Sequence, residues 1–164
     1  MDAVANGNTM DYEKLATRIK ERIAQEWQAQ GHTLTGAFEE SLSHEIEEGE
    51  NVTIRISGKH YGVYMQYGVK ADEIKYPFAK KRIEALTGYV MLRTGLPEKM
   101  AKRVAGAVAY KHSKEGMPLP SSVRFSTTGK RIGFVSDARP DIADMARQEI
   151  LTIVKQEIYG NLIG

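Results

Sequence analysis

The chain has 164 residues, of which 41% are hydrophobic and 27% charged, and its formal net charge is +2. This length and composition predict one domain with its own core and exclude a disordered or fibrous protein. The chain has no cysteine, which excludes disulfides and thiolate metal sites, and no apolar run approaches the roughly 20 residues of a membrane span. Residues 1–9 are polar and aperiodic, so we expect a flexible tail and no signal peptide, followed by a single domain over residues 10–164.

The first element is an amphipathic helix over residues 11–30. Apolar residues recur every three or four positions behind a predicted N-cap at Asp11, and Gly31 ends the helix. Trp27 lies on the apolar face and is the predicted core anchor. A hairpin is predicted over residues 42–57, because apolar and polar residues alternate on both sides of an acidic turn.

The next stretch, Lys59–Lys70, contains three of the eight tyrosines at three-residue spacing. A short helical turn would place Tyr61, Tyr64 and Met65 on one face. We therefore expect Tyr61 and Tyr64 to be buried against the hairpin.

The residues that follow the helical turn are the predicted contacts with other molecules. Gln66 and Tyr67 are expected to face a neighbour, and Val69–Tyr76 is expected to be an exposed arm that ends at Pro77. The candidate assembly contacts are the polar residues of this region: Gln66, Lys70, Asp72, Glu73 and Lys75.

Two helices, a short hairpin and a last helix complete the chain. The helices are predicted over residues 78–95 and 97–115, the hairpin over 123–135, and the last helix, opened by Pro140, over 140–159. In the helix 97–115, the stripe expected to face the core comprises Met100, Val104, Ala107, Val108 and Lys111. The predicted fold class is therefore α+β, with a mostly antiparallel β-sheet packed against about four helices.

The charges divide the chain into three segments. Residues 1–58 carry 5 basic and 11 acidic residues, residues 59–134 carry 15 and 5, and residues 135–164 carry 3 and 5. Either these segments face each other within one molecule, or they form complementary faces of a head-to-tail oligomer or a basic surface for nucleic acid. The candidate basic surface, toward DNA or an acidic neighbour, comprises Lys80, Lys81, Arg82, Lys99, Lys102 and Arg103.

No pattern of catalytic residues or cofactor ligands stands out. The histidines are scattered without zinc-binding spacing, and we expect His44 on a sheet face and His32, His60 and His112 at the surface. Phosphate-binding loops, hydrolase motifs and the recognised RNA-binding motifs are missing. The sequence therefore predicts a protein that is not an enzyme and needs no metal or cofactor, while nonspecific contact with DNA stays open.

Two segments, Thr35–Leu42 and Tyr61–Gly68, resemble the tail-completion family of tailed bacteriophages, which is related to virion-morphogenesis and minor tail proteins. Members of that family have the pattern T-G-x-L-x-x-S-(I/L), then a strand hairpin, then Y-A-x-Y-(V/L)-E-(Y/F)-G-T. The turn Glu115–Pro118 is similar to a later turn of the family. The residues expected to pack as motif positions are Gly36, Leu42, Tyr61, Tyr64, Tyr67 and Gly68.

The chain departs from the family pattern at positions within and next to the two segments. Phe38 stands where the family has an aliphatic residue, Glu39 where it often has a basic one, Gln66 where it has Glu, and Val69 where it has Thr. If the family Glu makes an assembly contact, that contact is neutral in this chain.

The resemblance implies a structural protein of the virion, assembled in the host cytoplasm and located in the neck between head and tail. There it would form a ring of about six copies, a closed head-to-tail oligomer, that joins the tail to the head connector. Its partners would be portal-side neck proteins and the tail terminator or tail tube, with genome DNA passing through unread and no membrane involved. A tail terminator of the same neck, a nonspecific nucleic-acid-binding module and, third, an enzyme are the alternatives.

Overall fold

The computed structural model describes residues 12–163, so the predicted tail and the N-cap at Asp11 lie outside the described residues. Five helices, two strands and three short 3-10 turns follow one another along this part of the chain. The helices are α1 (Tyr12–Ala29), α2 (Gly62–Tyr67), α3 (Lys80–Thr94), α4 (Glu98–Glu115) and α5 (Phe134–Ile163). The strands are β1 (Ser43–Glu47) and β2 (Thr53–Ser57), and the 3-10 turns cover Glu39–Ser41, Ala71–Glu73 and Pro120–Phe125. The α+β class is confirmed, with a fold that is mostly helical.

Helix α1 forms the centre of the larger half of the molecule. Its apolar face is buried, and Trp27 is confirmed as the core anchor. The indole stacks on Phe38 with 3.9 Å between ring centroids and meets the edge of Phe134 at 5.1 Å. Burying aromatic side chains of this size contributes most of the stabilisation that such a small core can supply.

The first hairpin, predicted over residues 42–57, is confirmed. Strands β1 and β2 pair antiparallel, with Ser43 opposite Ser57 and Glu47 opposite Thr53. Alternate residues, including Ile54 and Ile56, pack against the core around α1, while the opposite face is exposed. The hairpin therefore covers one side of α1 with half of its side chains, as its sequence alternation predicts.

Helix α5 covers another side of α1 and runs antiparallel to it. The N-terminal end of α5 lies beside the C-terminal end of α1, where the Gln30 amide donates to Asp137 at 3.1 Å. One turn or more further along, the Arg22 guanidinium donates to Asp141 at 2.6 Å and Arg18 lies 3.7 Å from Glu149.

The predicted hairpin over residues 123–135 is wrong. Residues 120–125 form a 3-10 turn, and the loop behind it binds the C-terminal end of α1. The backbone N–H and the hydroxyl of Thr127 both donate to the Ala29 carbonyl, at 2.8 and 3.0 Å. The last carbonyls of a helix have no partner within it, so those of α1 accept hydrogen bonds from the loop. The N–H of Thr127 is then no longer free to pair with a second strand.

Helix α5 begins at Phe134, six residues before the predicted start at Pro140, which lies inside the helix. The start is fixed from outside the helix. The side-chain oxygen of Gln66 accepts from the Val135 N–H at 2.8 Å, its amide donates to Ser136 at 2.7 Å, and Phe134 is buried in the core. These tertiary contacts override the preference of proline for the first turn.

Helices α3 and α4 form an antiparallel pair that makes up the smaller half. Gly95 ends α3 in the left-handed conformation (φ 69°), and Gly88 does not interrupt the helix. The predicted stripe on α4 is wrong: Met100 and Val104 are exposed, and the buried positions are Ala101, Ala105, Ala109 and His112. Alanines let the two backbones approach closely, so the larger apolar side chains are left outside.

Among residues 12–163, none of the helices combines the length and the hydrophobicity that crossing a bilayer requires.

Candidate assembly surfaces and an arginine-lined cavity

The two motif segments pack directly on each other. Phe38, in the first segment, lies between Trp27 and Gly62, and a Cβ placed on Gly62 would stand 2.6 Å from the Phe38 ring. Leu42 closes the same contact from the base of the hairpin, where it meets Gly58. Gly36 has φ +75° and lines a cavity beside Phe38. The segments therefore form one structural unit, although some 20 residues separate them in the sequence.

The predicted burial of Tyr61 and Tyr64 is wrong. Their side chains are 41% and 45% exposed, and Tyr67 is 77% exposed. The position of α2 that faces the core is occupied by Gly62, so the tyrosines on either side point outward. Only one face of the Tyr61 ring packs inward, with its centroid 6.0 Å from Trp27, and burial together with the nearby Glu39 carboxylate raises its pKa.

Both ends of the Gln66 amide are bound within the chain, to the start of α5. The exposed arm is only partly as predicted. Val69 and Met117 exchange two backbone hydrogen bonds of 2.8 Å, the Glu73 carboxylate accepts the Lys70 N–H at 2.8 Å, and Ile74 is buried. The segment is thus anchored at both ends, and its exposed residues are Lys70, Asp72, Glu73, Lys75 and Tyr76. Gly68, with φ +72°, makes the turn into this segment.

The six residues of the candidate basic surface do not form one patch. Lys80 and Lys81 lie at the start of α3, whereas Lys99, Lys102 and Arg103 lie at the start of α4. Because the helices are antiparallel, these groups are about 20 Å apart, the length of α3. Arg82 points inward and donates to the His112 ring at 3.3 Å and to the Met117 sulfur at 3.3 Å.

A cavity of about 420 Å³ lies between the loop at residues 34–39 and the α3–α4 pair. Its walls are mainly apolar, with Leu34, Phe38, Met65, Leu86, Val108 and Leu119 among them. Four lining residues that are exposed, Thr35, Tyr61, Tyr89 and Phe125, mark its mouth. A half-open apolar cavity of this volume is the size of the sites in which proteins hold small ligands or the side chains of a partner.

Two arginines line this cavity without an acidic partner. Arg131 is only 8% exposed and donates to the carbonyls of Gln30 and Gly31 at 2.8 and 2.7 Å, while Arg93 donates to the same Gly31 carbonyl at 2.5 Å. Within the described part of the chain, neither guanidinium forms an ion pair with a carboxylate, and the Arg131 Nε has no hydrogen-bond partner. Burial lowers the pKa of Arg131. A buried cation without a counter-ion is costly, so the cavity favours an anionic group.

Acidic and neutral polar groups complete the lining. One oxygen of Glu39 accepts from the Thr33 hydroxyl and the other has no partner. The predicted surface positions of His32 and His112 are wrong, because both residues line the cavity, His32 partly buried and His112 buried. Burial, reinforced by the neighbouring arginines, lowers the pKa of each to about 4.

Only one residue of the cavity, Arg93, stands at a position where the sequence suggests a hydrogen bond to a carbonyl. Arg93 stands in the last turn of α3, where a basic residue is typical of a bond to helix carbonyls. It binds instead the carbonyl of Gly31, 62 positions away, and Arg131 binds the same carbonyl from a loop 100 positions away. No local pattern predicts such pairs.

Comparison of the chain with protein-family models, curated proteins and solved structures found no match. Among the described residues, no three histidine or acidic side chains are grouped as metal ligands would be.

Proposed function

We propose that this chain is a structural virion protein of a tailed bacteriophage, a neck or tail-completion component that forms a ring and joins the tail to the head connector. The observation that carries the proposal is the arrangement of the two resembling segments. They pack on each other through Phe38 and Gly62, and they leave Tyr64 and Tyr67 exposed on one short helix. Exposed tyrosines are typical anchors of protein interfaces.

The charges and the exposed apolar residues support self-association. The hairpin and the loop at its tip carry an excess of acidic residues, and the starts of α3 and α4 carry basic ones. Surfaces of opposite charge on different faces of one subunit favour head-to-tail contact, and head-to-tail contacts close into rings. Met91, Leu92 and Met100 add an exposed apolar patch near the α3–α4 turn.

In this role the partners are portal-side neck proteins on one side and tail terminator or tail tube proteins on the other. The ring, with about six copies, encloses genome DNA without reading its sequence. The protein acts in the virion after assembly in the host cytoplasm, and the role requires neither catalysis nor a cofactor.

Native mass spectrometry and electron microscopy of the purified chain test this proposal. We expect rings, formed alone or on the head connector, and we expect Tyr67→Ser to weaken them because the most exposed motif tyrosine loses its apolar surface. Tyr159→Ser removes a comparably exposed tyrosine outside the motif and is the matched control. In the encoding phage, deletion should leave filled heads and complete tails unjoined. A chain that stays monomeric alone and with the connector, and is absent from virions, contradicts the proposal.

A nonspecific nucleic-acid-binding module is the second candidate, because Lys81, Lys99, Lys102 and Arg103 are exposed and have no acidic partner among the described residues. If it holds, affinity for duplex DNA falls steeply as salt rises, since binding releases counterions. Lys99→Glu with Lys102→Glu should then abolish binding. A terminator of the same neck is distinguished by its binding to isolated tails without heads.

A further inference from the structure

The loop at the tip of the hairpin is acidic and fully exposed. Residues 47–53 are all exposed, and Glu48 and Glu50 have no ion-pair partner among the described residues. Glu47 differs, because it lies 2.8 Å from Arg55 of its own hairpin. Val52 follows with an exposed aliphatic side chain. The loop thus presents two unpaired carboxylates next to one apolar group.

The cavity beside Phe38 has the opposite chemistry. Arg93 stands at its mouth, 5.7 Å from the Tyr89 ring centroid and 5.1 Å from that of Phe125, and its guanidinium binds only carbonyl and hydroxyl oxygens. Arg131 lies deeper, nine-tenths buried, with its Nε unpartnered. Apolar side chains form most of the remaining wall, together with Glu39 and the neutral rings of His32 and His112. Carboxylates next to an aliphatic group are the ligand that this lining would hold.

The hairpin of the same molecule cannot supply that ligand. Its base, at Leu42 and Gly58, contacts Phe38 and therefore lies beside the cavity. Its tip lies at the far end of two five-residue strands, about 17 Å away. Ladder pairing and contacts with α1 hold the hairpin in this direction. A hairpin tip can therefore bring its carboxylates to the cavity only from another molecule.

We propose that the hairpin tip of one copy, residues 48–52, docks into the arginine-lined cavity of a second copy. The carboxylates of Glu48 and Glu50 pair with Arg93 and Arg131, and Val52 packs against the apolar wall. The contact joins two different surfaces of the same chain, so it repeats from copy to copy and closes into a ring when the rotation allows. It rests on the proposed function, of which it names the subunit interface.

Cysteine cross-linking tests this contact, because the natural chain has no cysteine. Asn51→Cys labels the tip and Thr35→Cys labels the mouth of the cavity. Under mild oxidation, a mixture of the two single variants should give dimers only, and the double variant should give a ladder. Asn51→Cys mixed with Gln148→Cys, on the exposed side of α5, is the control. Cross-linking no greater than in this control overturns the proposal.

Charge reversal provides a second, independent readout. Glu48→Lys with Glu50→Lys should weaken self-association about 30-fold or more, since each lost pair leaves an arginine buried without its partner. Glu21→Lys with Glu84→Lys reverses two exposed charges elsewhere and should change it little. Equal effects of the two pairs, or a small anion found by native mass spectrometry in the cavity of the assembled protein, overturn the proposal. If the protein forms rings in which the cysteines at positions 51 and 35 do not cross-link, the proposed contact is wrong and the proposed function still stands.

Discussion

At the scale of single residues, the two motif segments meet where the large side chain of Phe38 packs against Gly62, which has no side chain. Phe38 fills the space that a Cβ at position 62 would occupy, and it stacks on Trp27 at the same time. Each of the two residues is therefore compatible with this packing only in the presence of the other.

The effects of Phe38→Leu and Gly62→Ala on the free energy of unfolding should be strongly non-additive. Phe38→Leu leaves a void and should cost less than the about 3–5 kcal/mol typical of Phe→Ala. Gly62→Ala forces the Phe38 ring to move and should also destabilise the fold. The cost of overpacking is about 1–3 kcal/mol, from which the gain in helix propensity is subtracted. The double variant should recover part of both losses, since the alanine methyl fills the void.

Urea unfolding of the wild type, the two single variants and the double variant measures this coupling. Gly106→Ala, where nothing lies near the added methyl, is the control for helix propensity. Losses that simply add would show that Phe38 and Gly62 do not share a space.

At the scale of elements, the start of α5 depends on α2. The Gln66 amide acts as a cap from another helix: it accepts from Val135 and donates to Ser136, and its backbone carbonyl accepts from Gly133 at 2.9 Å. The first N–H groups of a helix have no partner within it, so an oxygen at this place stabilises the helix even when it comes from 69 positions away.

Removal of this cap should fray the first turns of α5. Gln66→Ala should lower the free energy of unfolding by about 1 kcal/mol, as loss of an N-cap does. Gln66→Glu should cost much less, because a carboxylate still accepts from Val135 and is favoured by the helix dipole. Gln25→Ala, on the exposed face of α1, is the control. Amide hydrogen exchange at residues 134–137 reports the fraying directly, and unchanged exchange in Gln66→Ala would contradict the capping role.

At the scale of the whole molecule, the two halves meet at a seam that carries arginines and neutral histidines. His32 lies near Arg93 and Arg131, and the His112 ring accepts from Arg82. Protonation of either histidine would place a further cation at this seam. Protonation of either ring would therefore destabilise the seam.

Acidification should loosen the seam in a defined pH range. Both histidines have a pKa of about 4 in the folded chain, against 6.5 in the unfolded one. Between these values the unfolded chain binds more protons, so stability is full above pH 6.5 and falls as the pH decreases toward 4. His112→Gln should flatten this dependence, whereas His60→Gln, at an exposed position, should preserve it. The measurement is the urea midpoint of each variant between pH 4 and pH 6.5. The same pH dependence in His112→Gln and His60→Gln would contradict the prediction.

The elements that the sequence predicts well are those whose partners lie within the same periodic segment. Helix α1 and the first hairpin each have one clear apolar face, and both are confirmed. The second predicted hairpin fails because its backbone groups bind α1, and the α4 stripe fails because alanines, rather than Met100 and Val104, meet α3. The cavity escapes prediction for the same reason, since Arg131 acts through a carbonyl 100 positions away.

The C-terminal end of α1 has a consequence for biosynthesis. Its last carbonyls are bound by residues 126–131, and the core around Trp27 is completed by Phe134 and Ala138. The ribosome delivers α1 first, yet its last hydrogen bonds and part of its apolar cover arrive about 100 residues later, with residues 126–138. Closure of the core therefore waits until these residues have been synthesised, and until then the nascent chain exposes the apolar face of α1 to chaperones and to other chains.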